Sequence, residues 1–115
     1  MSVLNNQKTA ILIAQKIYAQ AKQQLGSRLD AVVLFGSYAR NDFDKDSDLD
    51  VMVRIHCLRS ELEQFESYFC KLASRLSVQH DLTVSIVLSD SDTFTRYKTA
   101  LPFYQNIERE GIKIA

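Results

Sequence analysis

The chain has 115 residues, of which 46% are hydrophobic and 24% charged, a composition typical of a folded globular domain rather than of a disordered segment. Its 14 basic and 14 acidic residues balance to zero net charge, which excludes the strong positive field of a protein that coats nucleic acid. No apolar run approaches the ~20 residues of a membrane span, the N-terminus is too polar for a signal peptide, and two cysteines are too few for a disulfide scaffold. We therefore expect a single domain over residues 1–115, located in the cytoplasm.

The first part of the chain predicts a helix and then a buried strand. Apolar residues recur at helical spacing over residues 6–25, and Gly26 follows at the position of a helix C-cap. Residues 31–35 form a β-branched and aromatic run that ends at Gly36, which predicts a strand buried on both faces. Residues 37–47 are polar and rich in aspartate, and they predict a turn that opens with one turn of helix.

The remainder predicts two longer strands, two helices and a short edge strand. In chain order these elements are a strand over 48–55, a helix that starts near 60, a strand over 82–88, a helix over 102–111 and an edge strand over 112–114. Ser60 and Glu63 have the Ser-x-x-Glu spacing of a capping box, whereas residues 89–92, Ser-Asp-Ser-Asp, predict a break. The order of elements predicts an α+β (α/β-like) fold, with a three- to four-stranded mixed sheet flanked by helices.

Asp48 and Asp50 are the first candidate site residues. Side chains two residues apart on a strand point to the same face, so both carboxylates are expected to project together. Two like charges side by side repel each other unless a cation lies between them. A hard divalent cation with oxygen ligands, Mg²⁺ or Mn²⁺, is the natural occupant.

Gly36 and Ser37, directly after the first strand, predict an anion-binding turn. Glycine lets the backbone approach a ligand closely and present consecutive N–H groups, and the serine hydroxyl adds another donor. Arg40, three residues further on, is placed to add a guanidinium for phosphate oxygens. A phosphate-binding turn followed by a metal-binding pair of carboxylates is the combination needed to hold a metal–nucleoside triphosphate.

Simpler interpretations of the same residues exist. Aspartates alternate from residue 42 to residue 50, and acidic loops are usually solvated surface. A calcium-binding EF-hand loop is excluded, because neither a register from Asp42 nor one from Asp44 has glycine at its sixth and glutamate at its twelfth position. A Gly-Ser turn after a strand is weak evidence alone, and only the combination with Asp48 and Asp50 is specific.

That combination resembles a known family. Gly36-Ser37, ten residues and then Asp48-Leu49-Asp50 are similar to the signature of the DNA polymerase β-like nucleotidyltransferase superfamily. The match extends to Phe35, Arg40, Ser47 and Val51 and, at the end of the chain, to residues 102–112. The short length resembles that of the minimal nucleotidyltransferase (MNT) domains of bacteria and archaea.

The resemblance implies an activity and a division of roles. Asp48 and Asp50 would be the catalytic residues that hold Mg²⁺ or Mn²⁺, and Gly36 and Ser37 would bind the outer phosphates of a nucleoside triphosphate such as ATP. An acceptor hydroxyl would attack the α-phosphate and release pyrophosphate. The family usually adds a third carboxylate from a neighbouring strand, which helps to activate the acceptor.

The third carboxylate is where the sequence departs from the family pattern. Ser85 occupies the position that we match to it. Asp81 has the same strand parity as Ser85 but lies four residues earlier, about 13 Å along an extended strand. Loss of this group would leave nucleotide binding intact and weaken transfer, so a nucleotide-binding or partner-binding module, antitoxin-like in role, is the alternative to an enzyme.

The nature of the acceptor is left open by so short a chain. Little sequence remains for an acceptor pocket, so the acceptor would be a partner protein, be gripped by a homodimer or lie on a shallow surface. In related minimal domains the partner is often a HEPN-domain protein, and the pair forms a toxin–antitoxin module. A template-dependent polymerase is disfavoured, because no basic stripe or template-binding element is visible.

Overall fold

The computed structural model describes residues 6–114. In chain order the elements are α1 (Gln7–Leu25), β1 (Leu29–Phe35), α2 (Ser37–Arg40), β2 (Leu49–Ile55), α3 (Glu63–His80), β3 (Val84–Asp90), α4 (Ser91–Tyr97), α5 (Pro102–Glu110) and β4 (Ile112–Lys113). Short 3₁₀ helices at Gly26–Arg28 and Arg59–Glu61 precede β1 and α3. Within this range no helix combines the length and the apolar composition of a membrane span.

The four strands form one mixed sheet in the order β3-β2-β1-β4. β1 lies antiparallel to both β2 and β4, and β2 lies parallel to β3. The parallel pair is connected through α3, which supplies the crossover that parallel strands require. This arrangement confirms the predicted fold class, and β4 confirms the predicted edge strand near the end of the chain.

α1 packs one apolar stripe against the sheet. Its buried residues recur at helical spacing and are Ala10, Ile13, Ala14, Ile17, Ala21 and Leu25. The Asn6 side-chain oxygen accepts a hydrogen bond from the Thr9 backbone N–H at 2.8 Å, and Gly26 ends the helix with φ of 59°. The predicted first helix and its glycine C-cap are therefore confirmed.

Both faces of the sheet are covered by helices. The core under α1 and α3 receives one set of alternating strand residues, among them Val32, Leu34, Val51 and Val53. The opposite face places Ala31, Val33 and Met52 against Phe94 of α4 and Ile107 of α5. Burial of both faces explains why residues 31–35 are all apolar. Even-numbered side chains of this run lie on the face covered by α1 and α3, and odd-numbered ones lie on the opposite face.

The start of α3 differs from the prediction. Ser60 is not the N-cap of this helix, because the chain first forms the 3₁₀ helix Arg59–Glu61 and α3 begins only at Glu63. The carboxylate that caps a backbone N–H here is that of Glu61, which accepts from Leu58 N–H at 2.8 Å. The Ser-x-x-Glu spacing indicated a helix correctly but not the residue that caps it.

α4 was not predicted. Residues 89–92 read as a break, but Ser89 and Asp90 are the buried last residues of β3. Asp90 Oδ2 accepts a hydrogen bond from the Thr93 backbone N–H at 2.9 Å and so caps α4. Aspartate and serine favour both turns and helix N-caps, and the burial of Phe94 decides between the two outcomes here.

Candidate active site

Three strand ends converge where the sequence predicted the site. In the sheet, Asp50 of β2 lies between Phe35, near the end of β1, and Ser85, near the start of β3. Asp50 and Met52 have the same strand parity, so Asp50 lies on the face that α4 and α5 cover. Gly36 follows Phe35 directly, which brings the predicted phosphate-binding turn beside the predicted metal ligand.

Asp48 and Asp50 form an interacting pair of carboxylates. Burial raises the pKa of the half-buried Asp50 carboxyl, the Asp48 charge raises it further, and the Arg40 guanidinium acts in the opposite direction. Asp48 itself is exposed and lies one residue before β2 begins, so strict strand alternation does not position it. In residues 6–114 no cluster of three or more Asp, Glu, His or Cys side chains is placed to hold a metal, so the candidate site has two carboxylates and no third acid beside them.

Gly36 approaches Asp50 so closely that a Cβ atom there would displace the carboxylate. It has φ of 78° and ψ of −157°, a backbone conformation that is essentially restricted to glycine. A Cβ atom at this position would lie 2.5 Å from Asp50 Oδ2, closer than two such atoms approach. The turn then enters α2 at Ser37, and the first N–H groups of a helix have no partner inside it. The glycine thus allows the turn and the carboxylate to approach each other closely.

Arg40 lies at the site, but its charge is shared. Its Nε is 3.1 Å from Asp42 Oδ2, and its Nη1 is 3.9 Å from Glu110 Oε1 of α5. Burial and the Asp48 charge raise the pKa of Asp50, and the guanidinium opposes that rise electrostatically. A phosphate that binds Arg40 would therefore compete with two surface carboxylates for it.

Two contacts that the sequence analysis missed hold the turn in place. The Gln7 side-chain amide at the start of α1 donates hydrogen bonds to the carbonyls of Tyr38 and Ala39, at 3.0 and 3.1 Å. The Tyr38 ring is buried and stacks on Phe43, with ring centroids 4.2 Å apart. Phe43 is the one aromatic among the aspartates of its loop, a signal that it packs inward, whereas nothing local marks Gln7.

Two cavities lie near the candidate site. On the β1 side, a small cavity of about 210 Å³ is lined by Gly36, Arg40 and the rings of Phe35 and Phe103. On the β3 side, a larger groove of about 760 Å³ runs between α3 and β3 and includes Asp48 and Ser85. Asp50 lines neither cavity, and the larger groove lies on the α3 face of the sheet, opposite to the face on which Asp50 lies.

Ser85, not a carboxylate, is the β3 neighbour of Asp50. The register pairs the two residues directly, which is the position where the family resemblance implies a third acid. Asp81 does not take that place, because it is the C-cap of α3, with φ of 53°, and precedes β3. The alternative strand register that Asp81 would need does not occur.

Comparison with known proteins identifies the family. The sequence model of the nucleotidyltransferase domain family matches residues 15–114 of this chain. MJ0141 of Methanocaldococcus jannaschii, a candidate protein adenylyltransferase, is 33% identical over 92 residues, which cover 78% of this chain and 83% of that protein. MJ0604 of the same organism, also a candidate protein adenylyltransferase, is 26% identical over 90 residues, which cover 78% of this chain and 82% of that protein. The chain belongs to the nucleotidyltransferase domain family, and its class of activity is nucleotidyl transfer.

Solved structures share the fold. A candidate minimal nucleotidyltransferase superimposes with a TM-score of 0.60 at 21% identity, covering 96% of this chain and 98% of that one. A toxin–antitoxin structure with AMP-PNP gives a TM-score of 0.56 at 21% identity, covering 89% of this chain and 72% of that one. Together with the family match, these similarities confirm the resemblance to minimal nucleotidyltransferases that the signature residues indicated.

Proposed function

We propose that this nucleotidyltransferase moves the nucleoside monophosphate of ATP to a hydroxyl group of a partner protein, with Mg²⁺ or Mn²⁺ held by Asp48 and Asp50. The observation that carries the proposal is the close approach of Gly36 to Asp50, because a Cβ atom would collide with Oδ2. Backbone N–H groups that can hold phosphate are thereby kept next to a carboxylate that can hold a metal. A nucleoside triphosphate with its divalent cation needs both at once.

The carboxylate pair fits a divalent cation. Asp50 is half-buried and the Asp48 charge acts on it, a repulsion that a bound cation would relieve. Mg²⁺ commonly binds through one or two carboxylates and fills its other positions with phosphate oxygens and water, so two protein ligands suffice for binding. When bound, the cation would neutralise charge that builds up on the phosphates.

The protein's own residues bind and orient the nucleotide. The N–H groups at the start of α2 and the Ser37 hydroxyl would hold the outer phosphates, with Arg40 turning from Asp42 and Glu110 to join them. The acceptor oxygen then forms a bond to the α-phosphorus, the bond from that phosphorus to the pyrophosphate oxygen breaks, and the hydroxyl proton leaves to water. Catalysis of this kind depends mainly on positioning and electrostatics.

A protein acceptor is supported by the relatives. MJ0141 is described as a candidate protein adenylyltransferase, and the structure with AMP-PNP is that of a toxin–antitoxin. We therefore propose a partner protein in a toxin–antitoxin module, with a HEPN-domain protein as the specific candidate. The balanced net charge of the chain offers no general attraction for a nucleic-acid acceptor.

Label transfer tests the proposal. Wild-type protein with Mg²⁺, ATP labelled in its α-phosphate and the protein encoded by the adjacent reading frame should label that protein. Asp48→Asn or Asp50→Asn should reduce labelling by about a hundredfold or more, because each removes a metal-binding charge. Asp46→Asn is the matched control, since Asp46 is exposed in the same loop. Absence of label with the wild type, or equal loss in all variants, would contradict the proposal.

A second function is favoured by one observation, the serine beside Asp50. Without a third carboxylate, the domain would bind Mg·ATP and its partner but transfer slowly or not at all. Ser85→Asp should then raise labelling about tenfold or more, because a carboxylate beside Asp50 can accept the acceptor's proton, whereas Ser85→Asn should not. A tight complex with the partner, no label with the wild type and label with Ser85→Asp would establish the binding module instead.

A further inference from the structure

The groove between α3 and the outer edge of β3 borders the candidate active site at Asp48 and Ser85. Asp48 and Ser85 lie at its β-strand side, and Glu66, Ser74 and Val78 line its α3 side. We propose that this groove binds an extended segment of the partner polypeptide, added as a strand to β3. Side chains of an added strand alternate between the two faces of the sheet, so those on the face of Asp50 would bring an acceptor hydroxyl toward Asp48 and Asp50. The inference rests on the proposed transfer to a protein and specifies where and in what conformation the acceptor binds.

The first support is an open sheet edge. β3 is the outermost strand on its side of the sheet, with β2 as its only strand neighbour among the described residues. Leu49 N–H donates to the Thr83 carbonyl at 2.8 Å, so in the parallel ladder odd-numbered β3 residues bond to β2 and even-numbered ones direct their backbone groups outward. An exposed row of this kind is the usual template for an added peptide strand.

The second support is that the outward backbone groups of β3 are partly hydrogen-bonded at the start of the strand and, in the described part of the chain, unpaired one step further along it. Val84 N–H already donates to the Ser77 hydroxyl of α3 at 2.9 Å. Ile86 is the next residue directed outward, and within residues 6–114 its backbone has no bond beyond the sheet. Pairing at Ile86 would place an incoming strand one residue past Ser85, within the 760 Å³ groove. The register of the docked segment is thus set next to the catalytic end of the sheet.

The third support is the lining of the groove. Ala73 and Ser74 present small side chains, which leave space for a peptide backbone between α3 and the edge of the sheet. Ile86 and the exposed Val78 supply apolar surface for the alternate side chains of a strand. The groove thus offers backbone hydrogen-bonding groups on its β3 side and small or apolar side chains on its α3 side, which suits an extended polypeptide.

The charge of the groove selects the kind of polymer. Among residues 6–114, its lining includes the carboxylates of Asp48 and Glu66 and no lysine, arginine or histidine. A nucleic-acid strand would bring phosphates next to these carboxylates, with no cationic side chain in the lining to bind them. A polypeptide with Lys or Arg near its acceptor residue is complementary to the same lining. The structure therefore favours a basic, extended protein segment over a nucleic acid.

Peptide binding without nucleotide tests docking separately from transfer. The probe is a set of fluorescent peptides of about ten residues, each with a central Tyr, Ser or Thr flanked by Lys and Arg, beside equivalents flanked by Asp and Glu and a single-stranded oligonucleotide. We expect anisotropy to show binding of the basic peptides about tenfold tighter than of the acidic ones. Ser74→Trp should weaken that binding about tenfold by filling the groove, whereas Gln79→Trp, which is exposed on the same helix outside the groove, should not.

A footprint on the wild-type protein supplies a second readout. Cys70 is exposed and lines the groove, whereas Cys57 lies elsewhere, and burial raises the pKa of its thiol. Saturating basic peptide should slow alkylation of Cys70 several-fold and leave that of Cys57 unchanged. Equal binding by Ser74→Trp and wild type, no protection of Cys70, preference for the oligonucleotide, or no peptide binding at all would overturn the inference. Mg·ATP binding to the same variants shows separately whether the proposed function stands.

Discussion

Directly after β1, Gly36 combines a backbone conformation restricted to glycine with a contact in which a Cβ atom would displace the Asp50 carboxylate. Gly26 after α1 also has a positive φ, of 59°, but an added Cβ there would meet nothing within 4 Å. A substitution at either glycine would strain the backbone, but only a substitution at Gly36 would also disturb Asp50. They allow the role of Gly36 in the site to be tested apart from its role in folding.

We expect Gly36→Ala and Gly26→Ala each to lower the free energy of unfolding by roughly 1–3 kcal/mol, because both impose an unfavourable positive φ. Only Gly36→Ala should weaken Mg·ATP binding, about tenfold or more, because its Cβ displaces the Asp50 carboxylate. Urea unfolding and calorimetry measure the two effects. Equal nucleotide affinity in both variants would contradict the assignment of Gly36 to the site.

At the scale of elements, the sequence predicted the features that depend on residues close together in the chain. The signature from Gly36 to Asp50 could be recognised because its parts are close in sequence, and the sheet brings them together as expected. Gln7 could not be recognised, because it acts on Tyr38 across 31 residues. α4 was missed for a related reason: the choice between a turn and a helix after Asp90 depends on packing of Phe94 against distant residues.

Two neighbouring aspartates at the start of α4 have different roles, which predicts different effects of their substitution on stability. Asp90 is buried and caps the helix, whereas Asp92 is exposed and pairs with Arg96 at 2.8 Å. Asp90→Ala should lower the free energy of unfolding by about 1–2 kcal/mol through loss of the cap. Asp92→Ala should change it by no more than about 0.5 kcal/mol, since exposed ion pairs contribute little. Urea unfolding of both variants checks the difference, and equal losses would contradict the capping role.

At the scale of the whole molecule, the far end of the sheet has a polar cluster of its own. The carboxylate of Asp30, in β1, accepts hydrogen bonds from Arg54 Nε at 2.9 Å and from the Ser91 hydroxyl at 2.8 Å, which ties β2 and α4 to β1. Burial acts to raise the pKa of Asp30, but these hydrogen bonds and the Arg54 charge outweigh it, and the pKa is lowered. The cluster lies at the end of β2 opposite to Asp50 and acts on stability rather than on the site.

Stability should therefore depend on pH through Asp30. Because its folded-state pKa is below the unfolded value of about 3.9, its contribution is fully present above that pH and is lost as the pH falls through the folded pKa. Asp30→Asn should lower the free energy of unfolding at neutral pH by roughly 1–3 kcal/mol, and the difference from wild type should shrink below about pH 4. Urea unfolding over a pH series measures this. A difference that stays constant down to about pH 2 would contradict the assignment, and Mg·ATP binding at neutral pH should be unchanged.

The central claim is that Asp48 and Asp50 hold the cation of a nucleotide whose phosphates lie at the turn after Gly36. Calorimetric titration of ATP with and without Mg²⁺ into wild type, Asp50→Asn and Asp46→Asn tests it most directly. We predict Mg²⁺-dependent binding by wild type and Asp46→Asn, weakened about tenfold or more in Asp50→Asn. Binding that is independent of Mg²⁺, equal in all three proteins, or absent from the wild type would contradict it.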